Sequence, residues 1–390
     1  MVIKTIFKSL RNCIKYSDKI LWTLVSASAV YSLLLVGSVS RSGINFLPTQ
    51  ALSVLIGILA AGFMQMLDYR YILKYSKWIG IVCVGLIVYT FFAGVAVEGS
   101  MGVNARAWIK LPGGITFQPS ELVKIGFILT FSSHISYLKK NMKLNDFKSI
   151  MFLVGHALIP VVLTHFQGDD GAAIMFLCIA FTMAFASGIK LRYFVLAIVL
   201  GIMFIPVAWN FVLADYQKQR ILCQMNPEAD PLNMGYQQIQ GKLSIGSGGI
   251  FGQGLFRGWR VENGVVPIQE SDFIFSVAGE ELGFIGCISI VLILFFIILR
   301  IGTIALKSSR TEGFLICSGF LGLITFQTIF NLGMCLSILP VMGVTLPFFS
   351  AGGSSAACLY FAVGIIQNIY LNRSQIKKVL KTDTVEEEVI

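Results

Sequence analysis

The chain has 390 residues, of which 56% are hydrophobic and only 13% charged, and its mean hydropathy is +0.78. Soluble proteins carry roughly 25% charged residues, so a water-exposed multidomain surface is excluded. The net charge of +10 lies in short segments between apolar runs. There it orients a membrane protein rather than forming a nucleic-acid face.

Residues 1–19 form a basic segment with Lys4, Lys8, Arg11, Lys15 and Lys19. The outline is that of a signal peptide, but the following apolar run is long and lacks a small-x-small cleavage site, so it reads as a retained first helix. Apolar windows then cover 20–39, 50–67, 78–97, 122–138, 149–166, 171–188, 193–214, 272–299, 313–337 and 345–371. Each can cross about 30 Å of hydrocarbon at ~1.5 Å per residue. The predicted fold is all-α and polytopic, with about ten transmembrane helices in one membrane domain over 20–371. With the N-terminus in the cytoplasm, 21 of the 30 Lys and Arg residues fall inside and 8 outside, whereas 12 of the 20 acids gather toward the outside. That bias predicts two cytoplasmic termini.

Two outer loops, 98–121 and 215–271, hold most of the polar mass. The second lies between the seventh and eighth spans and is too long for a mere connection. Within it, Leu232–Ile245 reads as an amphipathic helix on the membrane surface. Residues 372–390, ending in Glu386, Glu387 and Glu388, read as a disordered cytoplasmic tail.

The eight cysteines make no disulfide framework or zinc pattern. Cys83, Cys178, Cys287, Cys317, Cys335 and Cys358 sit in apolar runs, and only Cys223 falls in the long loop, so they read as small core residues. His134, His156 and His165 lie in or at the ends of spans and read as packing residues. Gly246–Gly254 is glycine-rich but does not fit GxGxxG, and Gly241-Lys242 is followed by Leu243, so neither is a nucleotide loop. No GxSxG or HExxH motif is present.

Intramembrane charges are costly and therefore informative. Glu121 and Lys124 share a helical face at the start of the fourth span. Asp169 and Asp170 occupy the turn between spans five and six, and Asp272, Glu280 and Glu281 cluster at the start of span eight. Helix capping and buried ion pairs would explain any one of them. Taken as a set, all toward one membrane side, they point to an outward-facing polar cavity.

Several segments resemble one family. Asn104-Ala-Arg106-Ala-Trp108, then Phe117-Gln-Pro119-Ser120-Glu121-Leu-Val-Lys124, are similar to the "R-W … F-Q-P-S-E-x-x-K" signature of the SEDS (RodA/FtsW/SpoVE) family. Gln167-Gly-Asp169-Asp-Gly171 resembles its "Q-P-D-x-G" turn. Gly235-Tyr236-Gln237 and Gly246–Gly252 resemble its large-loop motif, and Ser271-Asp272-Phe-Ile-Phe275 through Gly279-Glu280-Glu281-Leu-Gly283 its "T-D-F-I-F … G-E-E-L-G". Leu346-Pro-Phe-Phe-Ser350-Ala-Gly352-Gly353-Ser354-Ser355 resembles "L-P-F-x-S-Y-G-G-S-S". Gly168, Ala351, Ser271 and Gly264 depart from the family pattern and leave the elongation, division or sporulation branch open.

The resemblance implies a peptidoglycan glycosyltransferase that polymerises lipid II at the outer face of the cytoplasmic membrane. It also implies a class B penicillin-binding protein as transpeptidase partner. Asp272 is then the candidate general base for the attacking sugar hydroxyl. The departing pyrophosphate needs positive charge or a divalent cation, Mg²⁺ or Mn²⁺, whose identity the sequence does not give. Arg106, Lys110 and Lys124 could supply that charge, with Trp108, Gln237, Ser354 and Ser355 as further substrate-binding candidates. For Trp108 a place in an interfacial aromatic belt is the first reading and stacking on sugar the second. Glu121, Asp169, Glu280 and Glu281 are candidates to support the cavity. Two other functions share the composition: a flippase for polyprenyl-linked glycans, and a non-enzymatic scaffold for cell-wall synthases.

Overall fold

The computed structural model describes residues 15–95, 106–110, 116–232 and 235–373. The basic segment before residue 15 and the tail beyond residue 373 lie outside them.

The Asp18 carboxylate accepts a hydrogen bond from the Leu21 amide at 2.8 Å and caps α1 (Lys19–Val39). α2 (Leu47–Met66) carries a proline in its first turn, where its missing N–H is no loss. The short α3 (Tyr69–Lys74) and α4 (Ser76–Ala93) follow. A small antiparallel hairpin, β1 (Ile109–Lys110) and β2 (Thr116–Phe117), leads into α5 (Pro119–Lys140). Then come α6 (Phe147–Phe166), α7 (Asp170–Ser187) and α8 (Leu191–Val207), the last widening into a π turn over Ala208–Val212. The long loop holds α9 (Asp215–Met225), α10 (Tyr236–Ser247) and the single turn α11 (Trp259–Glu262). α12 (Ile274–Leu306), α13 (Thr311–Cys335) and α14 (Gly353–Leu371) complete the bundle.

Among the described residues, nine helices are long and apolar enough to cross a membrane. α5, at 22 residues, has the length for a tenth but carries Glu121 and Lys124. It tolerates them because protein, not lipid, surrounds it: 16 of its residues are buried, and it packs against α4, α7, α13 and α14. The predicted all-α, multi-pass architecture is the observed one. α8 is the opposite case, very apolar and with no buried residue.

At the end of the bundle where the chain begins, Asp18 pairs with Arg300 of α12, and its backbone N–H donates to Gln367 Oε1 of α14 at 2.8 Å. Gln367 Nε2 returns a bond to the Asp18 carbonyl at 3.0 Å. Three helices distant in sequence are thus locked together where an unpaired charge would be costly.

At the other end α12 is broken. Gly283 has φ 65° and ψ −160°, which interrupts the helical ladder inside a membrane-length helix. The orphaned groups are met by the glycine-rich loop before it. The amides of Phe284 and Ile285 donate to the carbonyls of Gly249 and Ile250 at 2.9 and 3.2 Å. The amides of Gln253 and Gly254 donate to the carbonyls of Glu280 and Glu281, both at 2.9 Å. Gly252, at φ 80°, lies so near that a Cβ there would sit 2.1 Å from the Glu281 carbonyl oxygen.

Three local expectations differ. The window 345–371 is helical only from Gly353, because Leu346–Ser350 forms a turn with Phe348 at φ 66°. Asp272, expected with Glu280 and Glu281 at the start of span eight, stands in the turn before α12, whereas the two glutamates lie within the helix. The expected surface helix in the long loop is α10, and it turns its polar face inward. Gln237, Gln238, Gly241 and Ser244 are buried against the bundle, where Gln237 and Gln238 donate to the carbonyls of Pro267 and Leu339 at 3.1 and 3.2 Å. The amides gain fixed carbonyl partners there, which membrane placement of the apolar face would forgo.

The stitched break makes a direct prediction. Gly252→Ala should destabilise the purified protein by about 1–2 kcal/mol or more, because it combines left-handed strain with a clash on backbone. Thermal unfolding in detergent should show it, and an unchanged midpoint would remove the stitch as a structural requirement.

Candidate active site

The loops at this end converge on a cavity of about 550 Å³. Asp272 reaches it from the turn before α12, and that turn is held on several sides. Asn331 Nδ2 on α13 donates to the carbonyls of Asp272 and Val344 at 2.9 and 2.8 Å. Ser350 Oγ donates to the Ser271 carbonyl at 2.6 Å, and the Ala351 amide to the Glu270 carbonyl at 2.8 Å. The Asp272 carboxylate accepts the Ser271 hydroxyl at 3.1 Å and is 8% exposed, so its small open area faces the cavity it lines.

The opposite wall is built by α5 and α7. Lys124 Nζ and Glu121 Oε1 lie 2.8 Å apart, both buried in the first turns of α5. Asp169 caps α7 through the Ala172 amide at 3.0 Å, while its other oxygen accepts Gln118 Nε2 at 2.8 Å and Ser120 Oγ at 3.3 Å. Asp170 is bonded to His165 Nδ1 at 2.7 Å and to Gln217 Nε2 of α9 at 2.5 Å. That bond ties the long loop to the α6–α7 turn. α9 also brings Arg220 to the cavity, its Nη1 3.5 Å from the Val341 carbonyl.

Burial pushes the Asp272 carboxyl up to about 6, with the charges of Glu270 and Asp169 adding and the Ser271 bond and Arg220 opposing. Burial also raises Asp169 and Glu270. A group poised near 6 is ionised at neutral pH yet basic enough to accept a proton.

The cavity brings together Asp272, Trp108, Lys124, Gln237, Ser354, Ser355, Glu121 and Asp169 from the sequence-derived set. Ser354 Oγ accepts the Gln118 amide at 3.2 Å, and Ser355 Oγ lies 3.4 Å from Thr345 Oγ1. Arg106 and Lys110 are exposed on the hairpin segment and do not line it. Glu280 and Glu281 do not line it either; they stand behind it, in contacts with the long loop and α1. Glu280 accepts the Arg260 amide at 2.6 Å, and Glu281 accepts Ser38 Oγ at 2.5 Å and the Gly258 amide at 3.4 Å. They hold the long loop to α1 and the broken helix. Arg220, Glu270, Gln118 and the positioning Asn331 escaped the sequence reading. Nothing local marks Arg220, which stands in a polar helix, and Asn331 is one amide in an apolar span.

A sequence model of the family described as "Cell cycle protein" (FTSW_RODA_SPOVE) matches residues 16–375. The chain is 31% identical to the peptidoglycan glycosyltransferase MrdB of Escherichia coli K12 over 361 residues, covering 93% of this chain and 95% of that one. It is 37% identical to the probable peptidoglycan glycosyltransferase FtsW of Geobacter sulfurreducens over 332 residues, 84% of this chain and 86% of that one. A chain from a structure described as the structural coordination of polymerization and crosslinking by a peptidoglycan synthase complex superimposes with a TM-score of 0.78. It is 27% identical, covering 92% of this chain and 99% of that one. The chain belongs to the FtsW/RodA/SpoVE family of multi-pass membrane proteins.

Two outcomes follow from the wall charges. Removing one member of the Glu121–Lys124 pair strands a buried charge, a loss of about 3–5 kcal/mol. Glu121→Gln or Lys124→Met should therefore lower folded protein more than the double variant does; additive losses would deny the coupling. Asp272, raised in the fold, contributes stability below its unfolded value of 3.8 and loses it as pH rises through about 6. Asp272→Asn should hence stabilise the protein at pH 7.5, by order of 1–3 kcal/mol, while leaving it unchanged near pH 3.5. A lower melting temperature at pH 7.5 would contradict the raised value.

Proposed function

We infer that this chain is a peptidoglycan glycosyltransferase and that it polymerises lipid II at the outer face of the cytoplasmic membrane. The observation that carries the reading is a buried carboxylate, Asp272, in the wall of a cavity that also holds Lys124 and Arg220. Asp272 takes the proton from the acceptor's GlcNAc 4-hydroxyl as that oxygen bonds the donor's anomeric carbon. The bond from that carbon to the lipid pyrophosphate breaks, and the two cations receive the leaving charge. An α-linked donor and a β-linked product make this a single inverting displacement, with no covalent nucleophile. Trp108, Gln237, Ser354 and Ser355 offer an aromatic face and polar groups to the sugars.

Among the described residues no three His, Cys, Asp or Glu side chains converge as a metal cage. Mg²⁺ is commonly held by one or two carboxylates plus substrate phosphates. Asp169 or Glu270 would be the residues to hold Mg²⁺ or Mn²⁺, which would supply further positive charge for the leaving pyrophosphate.

The Lys and Arg bias supports cytoplasmic termini and an outer cavity. A class B penicillin-binding protein is the partner proposed, since the similar synthase complex couples polymerization with crosslinking. A flippase would need polar groups along a route through the bilayer, whereas the charged lining belongs to one end of the bundle.

Asp272→Asn should fold and reach the membrane yet lose about 10²–10⁴-fold in polymerisation of labelled lipid II. The wild-type rate should fall about tenfold per pH unit below about 6 as Asp272 protonates. Full activity in the folded variant would remove Asp272 from the mechanism. For orientation, a cysteine at exposed position Asn263 should react with an impermeant reagent on intact cells. Labelling only after lysis would invert the topology.

A further inference from the structure

A second depression lies beside the catalytic cavity, between α1, the start of α2 and the long loop. It is a groove of about 520 Å³ lined by Leu33, Leu34, Gly37, Leu47, Phe256 and Arg41. Leu34, Leu47 and Phe256 are 43%, 37% and 39% exposed, so the groove is open. Its walls are apolar except at the rim, where Arg41 is exposed.

Two features suggest a built groove rather than a chance gap. Phe256 adopts φ 64°, an uncommon backbone for a bulky side chain that its surroundings must hold in place. Its ring lies 5.4 Å from the Arg41 guanidinium, and its carbonyl accepts Arg41 Nη1 at 3.3 Å, so the loop residue positions the cation. Gly37 leaves the floor open. A Cβ there would meet only ordinary contacts, Leu47 and Phe256 at 3.8 Å.

The turn between α1 and α2 serves both depressions. Arg41 and Leu47 line the groove, while Ile44, Asn45 and Phe46 between them line the cavity. A cation at the aqueous edge of an apolar groove matches a lipid with a phosphate head. Resting on the polymerase reading, the chemistry then selects which substrate it holds. The donor's pyrophosphate is attached to the reacting carbon and must lie inside the cavity. The acceptor reacts at its GlcNAc 4-hydroxyl, a full disaccharide away from its own pyrophosphate. That second pyrophosphate must be held outside the cavity and near the membrane. We propose that the α1–α2 groove is the acceptor subsite, with Arg41 binding the acceptor's pyrophosphate and Leu33, Leu34, Leu47 and Phe256 seating its polyprenyl chain.

The test separates the two substrate roles in the purified full-length protein with its transpeptidase partner. The donor is lipid II with the GlcNAc 4-hydroxyl inverted, which cannot be extended. The acceptor is lipid II with a non-transferable phosphonate at its anomeric carbon. Each productive turnover joins them into one tetrasaccharide. Arg41→Gln should raise the acceptor KM at least fivefold and leave the donor KM and kcat unchanged, while Arg41→Lys should stay within about twofold of wild type. Gly37→Leu, which fills the floor, should raise the KM of a long-chain acceptor and not that of a short-chain one. Equal changes for donor and acceptor, or no change in either KM, would overturn the subsite. So would a Gly37→Leu effect independent of chain length. If the wild-type protein forms no tetrasaccharide from this pair, the polymerase reading fails, and the acceptor subsite fails with it.

Discussion

Much of the site depends on a broken helix being made whole by a loop. In hydrocarbon an unsatisfied backbone group costs several kcal/mol, so α12 can bend at Gly283 only where protein replaces the missing bonds. Residues 249–254 do so from both sides of the break. Glu280 and Glu281, at the same place, fix the next loop segment through the amides of Arg260 and Gly258. The stitch therefore settles the exit of α12 toward Asp272 and the path of the long loop. The loop in turn delivers Arg220, Gln237 and Phe256 to their positions. Moving function into a loop would ordinarily sacrifice precision; anchoring it to a membrane helix restores it.

The second constraint is electrostatic. Two cations and several carboxylates share the cavity, in a space where burial works against charge. The fold resolves most of the conflict by pairing and capping: Glu121 with Lys124, Asp169 with an α7 amide, and Asp170 with His165 and Gln217. Among the described residues, the Asp272 carboxylate receives the Ser271 hydroxyl and no other hydrogen bond, while its backbone is clamped by Asn331. A rigidly placed but poorly compensated carboxylate is what proton abstraction requires. Asp272 and the paired carboxylates thus differ less in burial than in how completely they are satisfied.

The groove on α1 and α2 extends the same logic to the lipid side. A polymerase of lipid-linked sugars handles two long apolar tails at once, and its reacting atoms lie at different distances from the two phosphates. One cavity can hold one phosphate beside the chemistry; the other needs a cation at the membrane edge.

The sequence by itself determined what the bilayer enforces. Span number, the α class and the concentration of acids toward one end follow from hydropathy and charge placement, because lipid penalises any error in them. α5 shows that such reading survives even a polar helix, since Glu121 and Lys124 stand three apart and satisfy each other. The glycine-rich run and the two adjacent glutamates were visible as motifs, yet their purpose was not. Only the tertiary structure pairs residues 249–254 with a break about thirty positions later in the chain. The same limit explains α10, whose periodicity gives a polar and an apolar face without saying which partner each will meet. Arg220 and Asn331 became site residues through packing alone, as contacts between segments far apart in sequence carry no local signature. Charge and hydropathy are properties of residues and can be read in order; a cavity is a property of the surfaces that close around it.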